Sequence, residues 1–283
     1  MQDYFLSHEG EIYTGCYFFA IAIVAALEAV MPRRALCQSM GLRWFGNIAV
    51  AIIDILLIRS IFPLLGIALA LNSSENNWGL MPLMHVPATL AFAIGIIILD
   101  FNNYLQHYLL HRIPLLWRLH RMHHSDMDYD FSTSLRFHPL EAIFSVALEL
   151  MVIFIFGIPA FAYLIYKLVR VLMAAFVHGN LLIPENIDRQ LRKVIVTPDL
   201  HRIHHSVSKV ESNCNFAGVT PWWDKLFNTY IDCPELGQEN MKVGLEQFRE
   251  TKHRYLPWML LQPFMNPKPT DDLMPSSSAK RLG

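Results

Sequence analysis

Long apolar runs alternate with polar segments along the chain, and their lengths match those of membrane-spanning helices. Three runs come first, at 15–31, 46–71 and 86–111, and a fourth apolar region covers 142–177. A helix of about 20 apolar residues crosses the hydrocarbon core of a bilayer. The fourth region is nearly twice that length and has Gly157 and Pro159 in its middle. The pattern therefore predicts two helices separated by a break at this point.

Composition agrees with a membrane setting. The chain has 283 residues, a mean hydropathy of +0.30 and only 17% charged residues, which is more apolar than an ordinary soluble domain. We predict an all-α, polytopic membrane protein with about four transmembrane helices or hairpin segments and a cytoplasmic helical cap. One domain is expected over 1–265, and the Pro- and Ser-rich tail 266–283 is expected to be disordered. No basic segment precedes the first run, so no cleaved signal peptide is expected.

Arginine placement predicts the orientation of the chain in the membrane. The loop after the first run carries Arg33, Arg34 and Arg43, whereas the loop after the second run, 72–84, has no Lys or Arg. Positive charges favour the cytoplasmic side. The first loop is therefore predicted to be cytoplasmic, and every histidine-rich segment then lies on that same side. We expect the bacterial inner membrane rather than the endoplasmic reticulum.

Ten of the thirteen histidines lie between 107 and 205, and eight of them form three spaced boxes. The boxes are H-x-x-x-H (His107, His111), H-x-x-H-H (His120, His123, His124) and a second H-x-x-H-H (His201, His204, His205). Residues at i and i+4 share a helix face, and an adjacent histidine points about 100° further round. Each H-x-x-H-H box is therefore predicted to reach two neighbouring metal ions.

The number and type of these side chains restrict the metal. Eight imidazoles exceed the four ligands of a zinc ion. A site of nitrogen ligands without thiolates suits Fe, Zn, Cu or Ni, and apolar C–H bonds beside an O₂-activating metal favour iron. The four cysteines, Cys16, Cys37, Cys214 and Cys233, form no C-x-x-C pair, so neither a disulfide framework nor a thiolate site is expected.

Local signals place the histidines at helix ends. Thr197 is a predicted N-cap with Pro198 at the first helical position, just before the third box. His138 is likewise predicted at or near the N-cap of a helix that begins with proline. After His178, Gly179 is predicted to end a helix in the left-handed conformation.

Further segments extend the pattern of the boxes: R-F-H-P-L-E at 136–141, V-H-G-N at 177–180, T-P-D-L-H-R-I-H-H-S at 197–206 and N-C-N-F-A-G-V-T-P-W-W-D-K-L-F-N-T-Y at 213–230. Together with the boxes, they make the chain similar to the fatty acid hydroxylase/sterol desaturase superfamily of integral-membrane di-iron enzymes. The further segments resemble those of its bacterial-type sterol desaturase branch. The resemblance is close over about 90–235.

The resemblance implies O₂- and reductant-dependent hydroxylation or desaturation of a sterol, fatty acyl or alkyl lipid. It implies two iron ions in a dinuclear site of the cap, which zinc can replace in purified protein. Electrons are expected from a separate cytochrome b5-like protein or a ferredoxin with its reductase, because no flavin, haem or NAD fingerprint is visible. The resemblance implies that His178 is a ninth ligand. Some relatives have another histidine four residues later, whereas this chain has Leu182 there.

Four other residues are weaker candidates. His138 or Asn180 could supply a further metal ligand, although His138 could equally act as an N-cap. Asp100 and Asp224 could orient ligand histidines. No catalytic residue is predicted beyond the metal ligands, and the histidines outside these sets, His8, His85 and His253, are predicted at the surface or the membrane interface.

Other classes of function remain open at this point. A metal or proton transporter with histidine relays predicts ionisable groups in the middle of the membrane. A catalytically silent metal-binding membrane protein is compatible with the same boxes. The net charge of −1 argues against a nucleic-acid partner.

Overall fold

The computed structural model describes residues 1–62 and 66–266. Seven helices there have ten or more residues: α2 (Glu9–Val30), α3 (Met40–Ile61), α4 (Gly66–Glu75), α6 (Ala88–Arg112), α7 (Pro114–His124), α8 (Pro139–Phe156) and α9 (Ala160–Val177). The shorter α-helices are α1 (Gln2–Ser7), α5 (Leu80–Leu83), α10 (Glu185–Leu191), α11 (Pro198–His204), α12 (Lys209–Ser212), α13 (Trp222–Leu226), α14 (Gly237–Asn240) and α15 (Leu256–Leu261). Three 3-10 helices cover Phe131–Leu135, Thr251–Arg254 and Gln262–Phe264.

The predicted all-α class is confirmed. Over 1–62 and 66–266 the only β-type pairings are two isolated bridges, Pro32 with Leu181 and Ser206 with Val243. Five helical segments are long and apolar enough to cross a membrane, namely α2, the segment Met40–Leu83, α6, α8 and α9. The chain is therefore an integral, multi-pass membrane protein. The fifth segment arises because the fourth apolar region forms two helices, as its sequence predicts.

The second apolar run contains parts of two described helices. Helix α3 ends at Ile61, and α4 begins separately at Gly66. Phe62 has φ −113° and ψ 80°, outside the helical region. The next residue in the sequence is Pro63, and a proline ring disfavours helical backbone at the residue before it.

All five spanning segments bring one end to the same region. The C-terminal part of α2 reaches it through Glu28, whose carboxylate accepts hydrogen bonds from the backbone N–H groups of Phe131 and Asn180 at 2.8 and 2.7 Å. Helix α3 begins there, α6 ends there, α8 begins there and α9 ends there at His178. The histidine boxes therefore lie at one end of the helix bundle, as the alternating topology requires.

The turn between α8 and α9 lies at the opposite end of the bundle. Gly157 ends α8 with φ 65° and ψ 50°, the left-handed conformation that glycine adopts without steric strain. A Cβ atom on Gly79 would lie 2.3 Å from the backbone nitrogen of Gly157, so the two loops touch through their glycines. The predicted break at this point is confirmed.

The prediction for Gly179 is wrong. His178 is the C-cap of α9 in right-handed conformation, and Gly179 is absent from the positive-φ glycines of the described chain. The physical reason is crowding: a Cβ on Gly179 would lie 3.0 Å from the Phe176 carbonyl oxygen and 3.1 Å from Val24. Glycine is needed here for close packing against α2.

A buried ion-pair cluster joins α3 to the loop after the second box. Arg43 is 1% exposed and binds Asp126 at 2.9 Å and Asp130 at 2.7 Å. The Asp130 carboxylate also accepts from Trp44 Nε1 and caps the 3-10 helix Phe131–Leu135. Arg43 is thus part of the buried core, whereas Arg33 and Arg34 of the same loop are only partly buried.

Two other predictions bear on the end of the chain. His253 is 3% exposed, with its ring edge against Phe248 at 5.1 Å and Trp258 at 6.0 Å, so the prediction of a surface position is wrong. It is buried because the 3-10 helix that carries it packs against α3 and α15. The predicted disorder of 266–283 concerns residues that, apart from 266, lie outside the described residues.

Candidate metal centre

Nine histidines meet at the end of the bundle in two groups. The ligand nitrogens within each group lie within 4.8 Å of one another. The open group contains His107, His111, His120, His124 and His204, and the closed group contains His123, His178, His201 and His205. All nine predicted ligands of the boxes and of 178 are present, and the second and third boxes meet although about 80 residues separate them.

Helical spacing explains how the boxes divide between the groups. Residues at i and i+4 stay together, so His120 and His124 face the open group, whereas His201 and His205 face the closed group. The intermediate member of each box, His123 or His204, points to the other group. Each H-x-x-H-H box therefore contributes to both groups, which is the arrangement that its offsets predict.

Short helices with proline starts position the two H-x-x-H-H boxes. Pro114 begins α7, and Pro198 begins α11 directly after the N-cap Thr197, whose hydroxyl accepts from the Leu200 backbone N–H at 3.4 Å. Proline at the first helical position lacks only an N–H that would have no partner within the helix. The predicted cap at Thr197 is confirmed, and it fixes where the third box begins.

Four of the histidines have their Nδ1 atoms fixed by acceptors. These bonds run from His107 to the Phe216 carbonyl (2.6 Å), from His120 to the Glu141 carboxylate (2.7 Å), from His178 to the Ala174 carbonyl (2.8 Å) and from His204 to the Cys214 carbonyl (2.7 Å). Carbonyl and carboxylate oxygens only accept hydrogen bonds, so each Nδ1 carries the hydrogen. In the neutral ring, the Nε2 atom then has no hydrogen and carries a free lone pair.

The Nε2 atoms converge in a way that suits a bound cation. His107 and His120 have Nε2 atoms 3.1 Å apart, and both donate hydrogen bonds through Nδ1. Two lone pairs facing each other at this distance repel unless a positive charge lies between them. Two nitrogens bound to one metal ion at about 2.1 Å with a right angle between them are about 3.0 Å apart. The donor set therefore fits a first-row metal.

The same spacing occurs elsewhere in both groups. His111 and His124 have Nε2 atoms 3.1 Å apart, and His123 and His178 have theirs 3.2 Å apart. His204 Nε2 and both ring nitrogens of His205 are buried without a hydrogen-bond partner among the described residues. Buried polar atoms of this kind need a partner, and a metal ion would supply one in each group.

Burial favours the neutral form of five of these imidazoles, those of His123, His124, His178, His201 and His205. It lowers the pKa of His178 to about 4, and it lowers the pKa values of His123 and His124 well below the usual value, with neighbouring histidines adding to the effect. Burial also holds the pKa values of His201 and His205 well below that value. Neutral imidazole is the form that binds metal, so the site is prepared for metal near neutral pH.

The two groups differ in access. His107 and His111 are half-buried, whereas the four histidines of the closed group are all buried. Aromatic rings surround both groups: Phe216 lies 5.2 Å from His111, and Phe137 stacks on His123 at 4.5 Å. These rings pack against the imidazoles, and the two partly exposed histidines of the open group, His107 and His111, both lie on α6.

His138 and Asn180 lie outside both groups. His138 Nδ1 accepts from the Leu140 backbone N–H at 3.2 Å, so it is the N-cap of α8, and its Nε2 lies 3.1 Å from the Leu260 carbonyl. The Asn180 carboxamide is engaged at both ends with the backbone of Arg34, at 3.0 and 2.8 Å. The structure therefore gives both side chains structural hydrogen bonds in place of the suggested ligand role.

Asp100 and Asp224 contact the loop that supports His107, rather than a histidine. Asp224 accepts from the backbone N–H groups of Phe216 and Ala217 at 2.8 and 2.9 Å, and the Phe216 carbonyl in turn holds His107. Burial raises the pKa of Asp224 to about 6. Asp100 accepts at 2.7 and 2.9 Å from the side chains of Thr220 and Trp223 further along this loop.

Sequence analysis missed the role of Glu141. The carboxylate is 2% exposed, and it accepts a hydrogen bond from His120 Nδ1 that orients this ring. A carboxylate in this position fixes the ring and strengthens the imidazole as a ligand. The available signal was the segment R-F-H-P-L-E, which places Glu141 three residues after His138 in the part that resembles the family.

Comparisons with known proteins agree with this geometry. The fatty acid hydroxylase family model matches residues 92–229, which contain all nine histidines. Ornithine lipid hydroxylase OlsE of Rhizobium tropici is 27% identical over 224 residues, 77% of this chain and 66% of that protein. Human alkylglycerol monooxygenase is 31% identical over 150 residues, 52% of this chain and 31% of that protein.

The alkylglycerol monooxygenase of Caenorhabditis elegans is 32% identical over 157 residues, 55% of this chain and 30% of that protein. The aligned part of the chain thus covers less than two thirds of the length of each of these relatives. No solved structure matches the chain. The family match over 92–229, the relatives, the apolar helices and the histidine cluster together support the assignment of the chain to the fatty acid hydroxylase/sterol desaturase superfamily.

Proposed function

We propose that this protein is a membrane-bound oxidoreductase that uses O₂ and external electrons to hydroxylate a C–H bond of a lipid or to desaturate its chain. The observation that carries the proposal is the convergence of nine histidines into two groups at one end of a membrane-spanning bundle. The names of the relatives, a lipid hydroxylase and a monooxygenase, support the same class of reaction.

Two iron ions are the proposed cofactor, one held by the open group and one by the closed group. Nitrogen ligands without thiolates suit iron, and zinc binds the same ligands in its place. When bound, the metal pair supplies the O₂ activation and electron transfer that no side chain provides. The protein holds the ions: Glu141 orients His120, and backbone carbonyls orient His107, His178 and His204.

The surroundings of the groups suit a reaction that must exclude water. Phe216 lies against His107, His111 and His204, with ring centroids 5.7, 5.2 and 5.5 Å apart. Phe137 covers His123 from one face. A lipid chain that approaches along α6 reaches the half-buried histidines of the open group and leaves the closed group shielded. The open group, and not the closed one, is therefore the group whose metal ion would meet the C–H bond.

We further propose that the histidines face the cytoplasm, in a bacterial inner membrane, where a cytochrome b5-like protein or a ferredoxin with its reductase delivers the electrons. The arginines at 33 and 34 support this orientation through the positive-inside rule. Both sit on the histidine side of the bundle, since the Arg33 N–H bonds to the Asn180 carbonyl at 2.9 Å.

The experiment that tests the proposal is lipid profiling of cells with and without the gene, complemented by wild type or by His204→Ala at equal expression. We expect an oxygenated or desaturated lipid with wild type only. His85→Ala is the matched control, because His85 is exposed and far from both groups in sequence. Equal lipid oxidation by His204→Ala would favour a histidine-based transporter or a silent metal-binding protein instead.

A further inference from the structure

Arg136 is a buried arginine next to the second histidine box. It is 3% exposed and lies in the short segment before α8. Its Nε donates to the Met122 carbonyl at 2.8 Å, and its Nη2 donates to the Ser125 hydroxyl at 2.9 Å. Met122 and Ser125 flank His123 and His124 in the sequence. The guanidinium therefore spans the part of the chain that carries these two histidines.

This part of the chain needs support because it is the end of a helix. Helix α7 ends at His124, and the last carbonyl groups of a helix have no N–H partner within the helix. Arg136 supplies a donor to one of them, the Met122 carbonyl, and its positive charge lies where the helix dipole is negative. A helix end that lost the Arg136 bonds would hold its last two residues, His123 and His124, less firmly.

The other side of the guanidinium is anchored on α3. Nη1 of Arg136 donates to the Asn47 carboxamide oxygen at 3.1 Å and contacts Met259 Sδ at 3.5 Å. Asn47 is 0% exposed, and its amide group donates to the Ser132 hydroxyl at 3.0 Å. A planar guanidinium has several N–H groups in a fixed arrangement, so one side chain can link two helices. Arg136 therefore fixes the end of α7 relative to α3.

Arg136 is unusual for a buried charge, because its hydrogen-bond acceptors in the described chain are all uncharged. Asp126 attracts it from further away and Arg43 repels it, and Asp126 itself binds Arg43 at 2.9 Å. A buried charge without a directly bound counter-ion is unfavourable for stability. The presence of an arginine here is thus explained by the chain segment that it holds, and not by a gain in the stability of the fold.

Arg136 and Glu141 support the second box in different ways. Glu141 accepts from His120 Nδ1, so its bond acts on the open group. Arg136 instead holds the turn with His123, which belongs to the closed group, and His124, which belongs to the open group. The rings of these two neighbours lie at 89° to each other, because adjacent residues leave a helical turn in different directions. Loss of Arg136 should therefore affect both groups.

We propose that Arg136 is a positioning residue for both metal ions, which holds the last turn of α7 so that His123 and His124 point to different histidine groups. The proposal rests on the proposed function only for the identity of the metal as iron. It assigns Arg136 no contact with the ions, the lipid or O₂. What it predicts is the geometry of the two metal sites, whatever reaction they support.

Mössbauer spectroscopy of the full-length, iron-loaded protein tests the proposal, because it reports the surroundings of each iron ion. Arg136→Met removes the N–H donors and the charge but keeps a long side chain. The signals of both ions should change in this variant, and Fe²⁺ affinity should fall by about tenfold to a hundredfold, as for other partners of metal ligands. Glu141→Ala should change one signal only, which identifies the open group. A change in one signal only, or in neither, in Arg136→Met overturns the proposal.

Arg118→Met is the matched control. Arg118 lies on the same helix, but its hydrogen bonds in the described chain go to residues 263–266, among them the Pro263 carbonyl at 2.6 Å. Both signals should stay as in wild type, and a change equal to that in Arg136→Met would overturn the specific role of Arg136. Ser125→Ala serves if Arg136→Met folds poorly, since it removes the acceptor of Nη2. It should change both signals by a smaller amount, and unchanged signals there would also contradict the proposal.

Three further results separate this proposal from a structural role and from the proposed function. A lower melting temperature of metal-free Arg136→Met, with unchanged signals from the iron that it binds, would mean that Arg136 supports the fold alone. Changed signals of both ions in Arg136→Met, without lipid oxidation by iron-loaded wild type, would keep the positioning role and overturn the proposed reaction. Lipid oxidation by wild type, with unchanged signals in Arg136→Met, would keep the reaction and overturn the positioning role.

Discussion

The two histidine groups are built from the same boxes but differ in number, support and access. The open group has five histidines, two of them half-buried, and three of its Nδ1 atoms are held by Phe216, Glu141 and Cys214. The closed group has four fully buried histidines, and its one fixed Nδ1 is that of His178, bonded within its own helix.

This difference separates two tasks. A buried group with four nitrogens suits an ion that stays in place, because any lost ligand leaves the ion short of donors that nearby residues do not replace. The open group has a fifth nitrogen and a half-buried side, where O₂ and a substrate can approach. We therefore expect substitutions in the closed group to affect metal retention first, and substitutions around the open group to affect both metal binding at that group and turnover.

Removing a histidine that belongs to either group should have the largest effect. His123→Ala and His204→Ala each delete one buried ligand, so lipid oxidation should fall at least a hundredfold while membrane insertion remains normal. Insertion depends on the apolar helices, which these changes do not alter. Product formation is measured by mass spectrometry at matched expression, with His85→Ala as the control. Near-normal turnover in either variant would separate that group from the reaction.

Glu141→Ala should have the next largest effect. It tests whether the hydrogen bond from His120 to Glu141 supports metal binding in the open group. It removes the acceptor that fixes His120 at 2.7 Å. Loss of such a partner lowers metal affinity or activity by about tenfold to a hundredfold. Titration of metal-free protein with Fe²⁺ is the measurement. Glu185→Ala, at an exposed helix position, is a matched carboxylate control. Unchanged affinity and turnover would show that His120 is oriented by packing alone.

Asp224→Asn should have a moderate effect on stability and a smaller one on metal binding. Asparagine has an NH₂ group in place of one of the two carboxylate oxygens. This NH₂ group would face the backbone N–H of Phe216 or Ala217, so that two donors meet without an acceptor. Leaving a buried donor without an acceptor is unfavourable by about 1–3 kcal/mol. The melting temperature should fall, and Fe²⁺ affinity should weaken at the open group only. A loss of Fe²⁺ affinity confined to the closed group would contradict the conclusion that Asp224 supports His107 through Phe216.

Cys214→Ser and Cys233→Ser should have the smallest effect. The backbone carbonyl of Cys214 holds His204, whereas its sulfur takes no part in either group. Metal content and turnover should therefore equal those of wild type in both variants. A drop in metal content in Cys214→Ser, with normal folding by circular dichroism, would show that the thiol is a ligand and would change the donor set.

Much of this arrangement is predictable from the sequence because it depends on local periodicity. The offsets within H-x-x-H-H determine that His120 and His124 face one way and His123 the other, and hydropathy determines how many helices there are. Proline after Thr197 and after His138 determines where two helices begin. These features need no knowledge of how distant parts of the chain meet.

The supporting bonds depend on distant contacts and escape sequence analysis. His120 and Glu141 are 21 residues apart, and the carbonyl that holds His107 is 109 residues away at Phe216. Nothing in either local pattern pairs them. Gly179 shows the same limit, since its need for space comes from Val24 on another helix. His253 is buried for the same reason, by packing against residues that its own segment does not reveal.

The central claim is that each histidine group holds its own metal ion, and metal stoichiometry tests it most directly. Wild-type protein purified from iron-supplemented cells should contain about two iron or zinc ions per chain by mass spectrometry. His178→Ala leaves three nitrogens in the closed group and should contain about one ion, whereas His85→Ala should keep two. One ion or none in wild type, or two ions retained in His178→Ala, would contradict the account.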